Sequence, residues 1–432
     1  MTEPQGRNAA RPHVPVIIIG GGQAGLSVSH FLSQAGVDHL VLEQHAVAHN
    51  WRTQRWDSFC LVTPNWQCRL PGFPYAGDDP DGFMLRDDIV RYIEDFRHKI
   101  RAPVREGVAV TGLARSGSGG FSVATSEGEY SASSVVLAVS GYHQPKIPRI
   151  AERLPPGIVQ IHSSEYRRPD QCPPGAVLVV GTGQSGCQIA EDLHLAGRSV
   201  HLSLGSAPRS PRSYRGRDAI AWLHDMGQYA LTVDDHAKGA AVRRQANHYM
   251  TGRDGGREID LRRFALDGMA LYGRLGDIRG SALSFAPDLK RRLDAADEVY
   301  VGIRQMIDRH IAEQALDVPE ASPYRPCWEP ESEPESLDLA EAGITSIVWS
   351  TGFVSDWSWV DVPIFDGRGY PSHKRGVTPA DGLYLMGLPW LHSWGSGRFS
   401  GVAEDAEHIV KTIVARTVPA ELAGLGPYLR HG

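Results

Sequence analysis

Apolar and polar residues follow two different periods along this chain, and the same succession of periods occurs twice. Val16-Ile17-Ile18-Ile19 is a β-branched run of strand length. From Ala24 to Ala35 the apolar residues Leu26, Phe31, Leu32 and Ala35 recur at helical spacing, and Gly36 ends the pattern as a left-handed cap would. Leu40-Val41-Leu42 predicts the next strand. The second round begins with Val177 to Val180, a strand. It continues with Ile189, Ala190, Leu193 and Leu195 on a helix running to Gly197, and Val200 to Leu204 is its closing strand. Between the rounds, Gly120 to Val139 alternates as strands ending in Val135-Val136-Leu137-Ala138. A similar strand end returns at Ile347-Val348-Trp349, followed by Ser350-Thr351-Gly352. Leu293, Ala296, Val299, Ile303, Ile307 and Ile311 share one face of an amphipathic helix, and 329–335 reads as a solvated linker.

Each round carries a glycine pattern at its first turn. Gly20, Gly22 and Gly25 fill a G-x-G-x-x-G, and so do Gly181, Gly183 and Gly186. The first glycine makes a tight turn, the second lets the backbone approach a pyrophosphate, and the third packs helix on strand. The helix N-terminus that follows offers free N–H groups to the phosphates. Glu43 ends the first round where an acid can accept hydrogen bonds from a ribose diol. The second round ends without an acid. Ser206, Arg209, Arg212 and Arg215 follow instead, which favours a 2′-phosphate and hence NADPH over NADH. The expected fold is α/β with two dinucleotide-binding, Rossmann-like domains, the NADPH domain inserted in the FAD domain. Residues 10–165 and 335–415 are expected in the FAD domain, and 172–330 in the NADPH domain with a helical insertion.

Composition narrows the class only slightly. With 41% hydrophobic and 22% charged residues the chain reads as globular, and a formal charge of −6 gives no reason to expect nucleic acid or an anionic membrane as partner. No apolar run reaches membrane-spanning length, and the opening thirteen residues lack the apolar core of a secretory leader. The five cysteines are scattered without a CxxC, which argues against a dithiol centre or a metal site and fits a reducing cytoplasm. Two stretches, 49–75 and 387–410, concentrate tryptophan, glycine and arginine. Trp51, Trp56, Trp66, Trp390 and Trp394 offer flat faces there, with His392 and Arg398 as the polar groups.

Both glycine patterns, Glu43, Trp51-Arg52, Ala138 to Gly141 and Ser350-Thr351-Gly352 together resemble the class B flavoprotein monooxygenases. Trp56-Asp57-Ser58-Phe59, Thr63-Pro64-Asn65-Trp66 and Leu388-Pro389-Trp390-Leu391-His392 look like a bacterial family of flavin-dependent oxidoreductases found beside nitrilase genes. The resemblance implies FAD and NADPH meeting at a domain cleft. It implies a small organic substrate with O2 as co-substrate, and leaves an oligomer open. The expected FAD contacts are Gly20, Gly22, Gln23, Ala24, Gly25, Glu43, Trp51, Arg52, Val110, Ala138, Gly141 and Gly352. For NADPH they are Gly181, Gly183, Gln184, Ser185, Gly186, Ser206, Arg209 and Arg212. The substrate is expected against Trp390, His392, Trp394 and Arg398, with Asn65 and Thr63 opposite, and His392 as the proton-handling group. The family signature F-x-G-x-x-x-H-x-x-x-W has only a partial echo in Gly157, His162 and Tyr166, and the flavin-side Asn falls on Val62 in an ungapped reading. Alternatives are a flavin oxidoreductase without oxygen insertion, acting on a nitrogen-containing metabolite, and a redox-sensing flavoprotein without turnover.

Overall fold

The computed structural model describes residues 11–117 and 119–417; the chain start and domain boundary read at residues 1–10 lie outside them. Two sheets organise the chain. The first has eight strands. His13–Ile19 lies at its centre, parallel to His39–Leu42 on one side and to Gly128–Leu137 on the other. The long strand Gly128–Leu137 divides its partners: its first half pairs antiparallel with Phe121–Thr125, its second half parallel with Leu383–Leu385. The second sheet is wholly parallel, in the order Val159–His162, Ile344–Trp349, Ala176–Val180, Val200–Ser203, Ala270–Tyr272. Its central strand, Ala176–Val180, is apolar and buried along its whole length, as a strand of a parallel sheet covered on both faces must be.

This topology corrects the domain limits read from sequence. Val159–His162 and Ile344–Trp349, expected in the FAD domain, pair with each other in the second sheet, so that unit runs from 159 to 349. The crossings themselves fall at 138–145 and 350–354. They run together as a short antiparallel ribbon, Gln144–Pro145 against Phe353–Val354. His162, the echo of the family signature, fixes this crossing: its Nε2 lies 2.9 Å from the Gly352 carbonyl.

The helices follow the predicted faces. Gln23–Gln34 and Gln184–Leu195 each follow a glycine turn, and Val402–Thr417 packs on Gln23–Gln34. Leu289–Glu313 buries Leu293, Ala296, Ile303 and Ile307 of the predicted stripe. Residues 206–268 are mostly irregular. Arginines buried among carboxylates hold this segment together: Arg209 pairs with Glu258, Asp260 and Asp297, and Arg262 with Asp294 and Asp297.

Candidate active site

The two glycine turns have the same construction. Gly20 has φ +110°, and a Cβ there would lie 2.5 Å from the Ala138 carbonyl oxygen. Gly181 has φ +102° and would meet the Ser350 carbonyl oxygen at 2.5 Å. A Cβ on Gly25 would stand 2.0 Å from the Gly20 oxygen, and one on Gly186 would stand 1.9 Å from the Gly181 oxygen. At Gly22 and Gly183, by contrast, a Cβ would meet nothing within 4 Å. So the first and third glycines are demanded by the protein itself, while the second presents an empty face. Both following helices start without a side-chain cap, leaving their first N–H groups for an anion. These open faces fit a dinucleotide pyrophosphate at each turn. Ala138 and Ser350 back the two turns and lead into the crossings that pair with each other, so both turns are tied to one seam between the sheets.

Glu43 stands at the lip of the first turn. Its Oε2 accepts the Gly21 N–H at 2.7 Å and its Oε1 the His45 N–H at 2.9 Å. The Val108 N–H donates to the Glu43 carbonyl, which brings Val110 to the same edge. Trp51 donates its indole N–H to Gln23 Oε1 at 3.1 Å, tying the Trp51 segment to the first helix. Arg52 pairs with Glu94 at 2.6 Å through one nitrogen of a half-exposed guanidinium. Arg55, which the sequence pattern did not single out, lies over the Trp51 ring at 5.0 Å and has no carboxylate partner among the described residues. Ala138 and Gly141 stay with the crossing: the Ala138 N–H donates to Ile19 and the Ser355 hydroxyl to the Gly141 carbonyl.

At the second turn, Gln184 and Ser185 open the helix and Ser206 is exposed beyond the closing strand. Arg209 and Arg212 are corrected. Both are buried, Arg209 among three carboxylates and Arg212 bonded to Asp218 and to the Val62 and Thr251 carbonyls. Neither has a free edge for a phosphate. Their spacing after the strand was visible in the sequence, but the distant partners Glu258, Asp260 and Asp297 were not.

The loop 387–401 crosses the start of the first helix. A Cβ on Gly387 would lie 2.8 Å from that of Ala24, and Gln23 Nε2 reaches the Gly397 carbonyl at 3.4 Å. The loop also docks on the second unit. The His392 carbonyl accepts the Val233 N–H at 2.8 Å, and Trp394 stacks on Tyr229 at 4.7 Å. Arg398 donates to Asn247 Oδ1 at 3.0 Å and to the Trp394 carbonyl at 3.1 Å. Burial, then the nearby Arg375, lowers the His392 pKa, so the imidazole is neutral at pH 7 and able to accept a proton. Trp56 is fully packed, and Trp66 meets His224 edge-on at 5.0 Å.

Asn65 does not face this loop, which corrects the opposite wall. Its Nδ2 donates to the Asp79 carbonyl at 2.9 Å and its Oδ1 accepts the Met84 N–H at 2.7 Å, so both ends of the amide clamp the loop 79–84. Thr63 is half-buried two residues earlier. The residue the sequence did not reveal is Gln67. It is 1% exposed, beside the Tyr229 ring, and neither amide atom has a hydrogen-bond partner of good geometry.

Asp405, on the first turn of the last helix, is buried, which raises its pKa to about 6 against the opposing pull of Arg375 3.9 Å away. Burial penalises the charged form, so the native state holds this proton between the ordinary carboxyl pKa and about 6 while the unfolded chain releases it. Stability is therefore lost as pH rises through that window. Asp405→Asn is expected to raise stability at pH 7.5 by roughly 1–2 kcal/mol and to change it little at pH 4, read as melting temperature at both values.

A chain with two open dinucleotide turns on one seam defines a two-domain pyridine-nucleotide flavoprotein oxidoreductase. The family model described as pyridine nucleotide-disulphide oxidoreductase matches residues 17–263, and the chain belongs to that family. It is 31% identical over 405 residues to a Geobacillus kaustophilus protein named uncharacterized oxidoreductase CzcO-like, covering 93% of this chain and 98% of that one. Among solved structures, the flavin-containing monooxygenase of Stenotrophomonas maltophilia is similar with TM-score 0.66 at 18% identity, covering 94% of this chain and all (100%) of that one. OTEMO in complex with FAD and NADP is similar with TM-score 0.53 at 17% identity, covering 94% and 86%. The fold is thus that of flavin monooxygenases. Cys60, Cys68, Cys172 and Cys187 are buried free thiols, and burial pushes Cys60 up to about 11 and Cys68 up to about 12. No group among the described residues could hold a metal ion, and no helix among them is long and apolar enough to cross a membrane.

Proposed function

We propose that this chain is an FAD-dependent, NADPH-consuming monooxygenase that inserts one atom of O2 into a small organic substrate. The observation that carries the reading is the pair of glycine turns with empty second-glycine faces, both backed by one pair of crossings. The first turn, with Glu43 at its lip, holds FAD, and the second holds the nicotinamide dinucleotide. The preference for NADPH rests on the missing acid after Leu204 and the exposed Ser206, not on Arg209 and Arg212. When bound, the flavin supplies hydride acceptance and oxygen activation. The chain's own part is to bind, to exclude water with the Trp390–Trp394 loop, and to accept a proton at the neutral His392 imidazole.

A second reading, electron transfer without oxygen insertion, is favoured by Asn65. Its amide is spent on the loop 79–84 and is not free to stabilise oxygen at the seam. Labelled O2 separates the two. With amines, sulfides and ketones as trial substrates, monooxygenation gives one labelled product per NADPH, whereas the second reading gives one hydrogen peroxide per NADPH with every substrate. His392→Ala is expected to leave reduction of the flavin by NADPH intact and to slow the substrate-dependent step by roughly 10²-fold, measured as separate half-reactions.

A further inference from the structure

A cavity of about 500 Å³ lies apart from the seam, between the helix Arg86–Ile100 and the segment 73–84. That size is within the range of small-molecule sites. Its walls are aromatic: Phe73, Tyr75, Phe83 and Tyr92 line it. Its ionisable lining is Asp79, Asp88 and Asp95 against the single cation Arg91. Arg91 is already paired with Asp88, which also accepts the Leu85 N–H at the start of the helix. Asp79 and Asp95 have no ion-pair partner among the described residues. On one wall the Asn65 amide ties the Asp79 carbonyl to the Met84 N–H. The Tyr92 hydroxyl is held by the Phe73 carbonyl at 2.5 Å, the Cys68 carbonyl at 3.0 Å and the Leu70 N–H at 3.1 Å.

Lys99 already lies over the Phe73 ring at 5.0 Å and Arg212 over the Phe83 ring at 4.9 Å, so the rings offer a ligand apolar surface, while the exposed Asp79 and Asp95 carboxylates offer the charge. The two unpaired carboxylates repel anions and favour a ligand that carries positive charge beside an apolar body. We infer that this cavity is a binding site for an organic ammonium ion, one whose alkyl or aryl body lies between Phe73, Tyr75 and Phe83 and whose charged head faces Asp79 and Asp95. The site is separate from the dinucleotide seam but touches its wall. Tyr92 meets Phe399 edge-on at 5.7 Å, and Phe399 stacks at 5.8 Å on Trp51, which is bonded to Gln23 of the first turn.

The test uses the full-length, flavin-loaded protein and isothermal titration with phenethylammonium and with 3-phenylpropan-1-ol, a neutral analogue of similar shape. The ammonium ion is expected to bind with one equivalent and at least about tenfold more tightly than the alcohol. The double variant Asp79→Asn, Asp95→Asn keeps the side-chain shapes and is expected to bring the ammonium ion down to the level of the alcohol. Equal binding of the two probes, no binding of the ammonium ion, or an unaffected double variant would each overturn the inference. Flavin content and anaerobic bleaching by NADPH are measured in the same preparations. Their loss would count against the proposed redox function, and their retention with no ammonium selectivity would count against this site alone.

Discussion

Gly22→Val is expected to give a folded protein that carries no flavin. Gly22 has φ −80° and ψ −176°, extended backbone open to any residue, and a Cβ there meets nothing within 4 Å. The polypeptide therefore accommodates valine, but the side chain fills the face where a pyrophosphate must approach the N–H groups of Gln23 and Ala24. Losing two or three charge-assisted hydrogen bonds costs about 3 kcal/mol or more, above 10²-fold in affinity, before any steric term. Gly25→Ala is the control with the opposite cause. Its Cβ would lie 2.0 Å from the Gly20 oxygen, so that variant should fail to fold instead of folding empty. Circular dichroism and flavin absorbance of the two purified variants distinguish these outcomes. A Gly22→Val protein with full flavin occupancy would remove the first turn from the cofactor site.

The second large effect is expected from Arg209→Ala. The Arg209 side chain is 3% exposed and makes ion pairs of 2.9–3.0 Å with Glu258, Asp260 and Asp297, and its guanidinium lies 4.2 Å over the Tyr300 ring. Removing it leaves three carboxylates facing one another without their cation, with Arg262 still sharing Asp297. Breaking a buried pair of this kind costs about 3–5 kcal/mol, a large part of the 5–15 kcal/mol by which a domain is usually stable. Soluble yield and melting temperature should fall sharply, while the folded remainder keeps its half-saturation for NADPH. Unchanged stability with weakened NADPH binding would restore Arg209 to the 2′-phosphate.

These two residues also show what the linear pattern could carry. Gly20, Gly22 and Gly25 act through neighbours a few residues away and through a strand end, Ala138, that the period of the next segment already marked. Such local geometry is legible in spacing, and the second turn repeats it at Gly181, Gly183 and Gly186. The fate of Arg209 depends on carboxylates 49, 51 and 88 residues away, and nothing in the spacing of a basic turn distinguishes a phosphate grip from an internal ion pair. Asn65 was misplaced for the same reason, because its partners, Asp79 and Met84, belong to a loop without periodic signal. Gln67 had no signal at all: only folding shows that its amide is buried against Tyr229. The sheet order likewise escaped the reading at Val159–His162, a short run whose partner Ile344–Trp349 lies nearly two hundred residues on.

The central claim is that the two glycine turns serve one electron path, with FAD on the first and a nicotinamide dinucleotide on the second. It is tested most directly by mixing the flavin-loaded protein with NADPH in the absence of oxygen and following the yellow flavin band. The account predicts complete bleaching by one equivalent of NADPH, and loss of that bleaching in Gly183→Val protein that still holds its flavin. A bound flavin that NADPH leaves oxidised, or bleaching that persists unchanged in Gly183→Val, would contradict it.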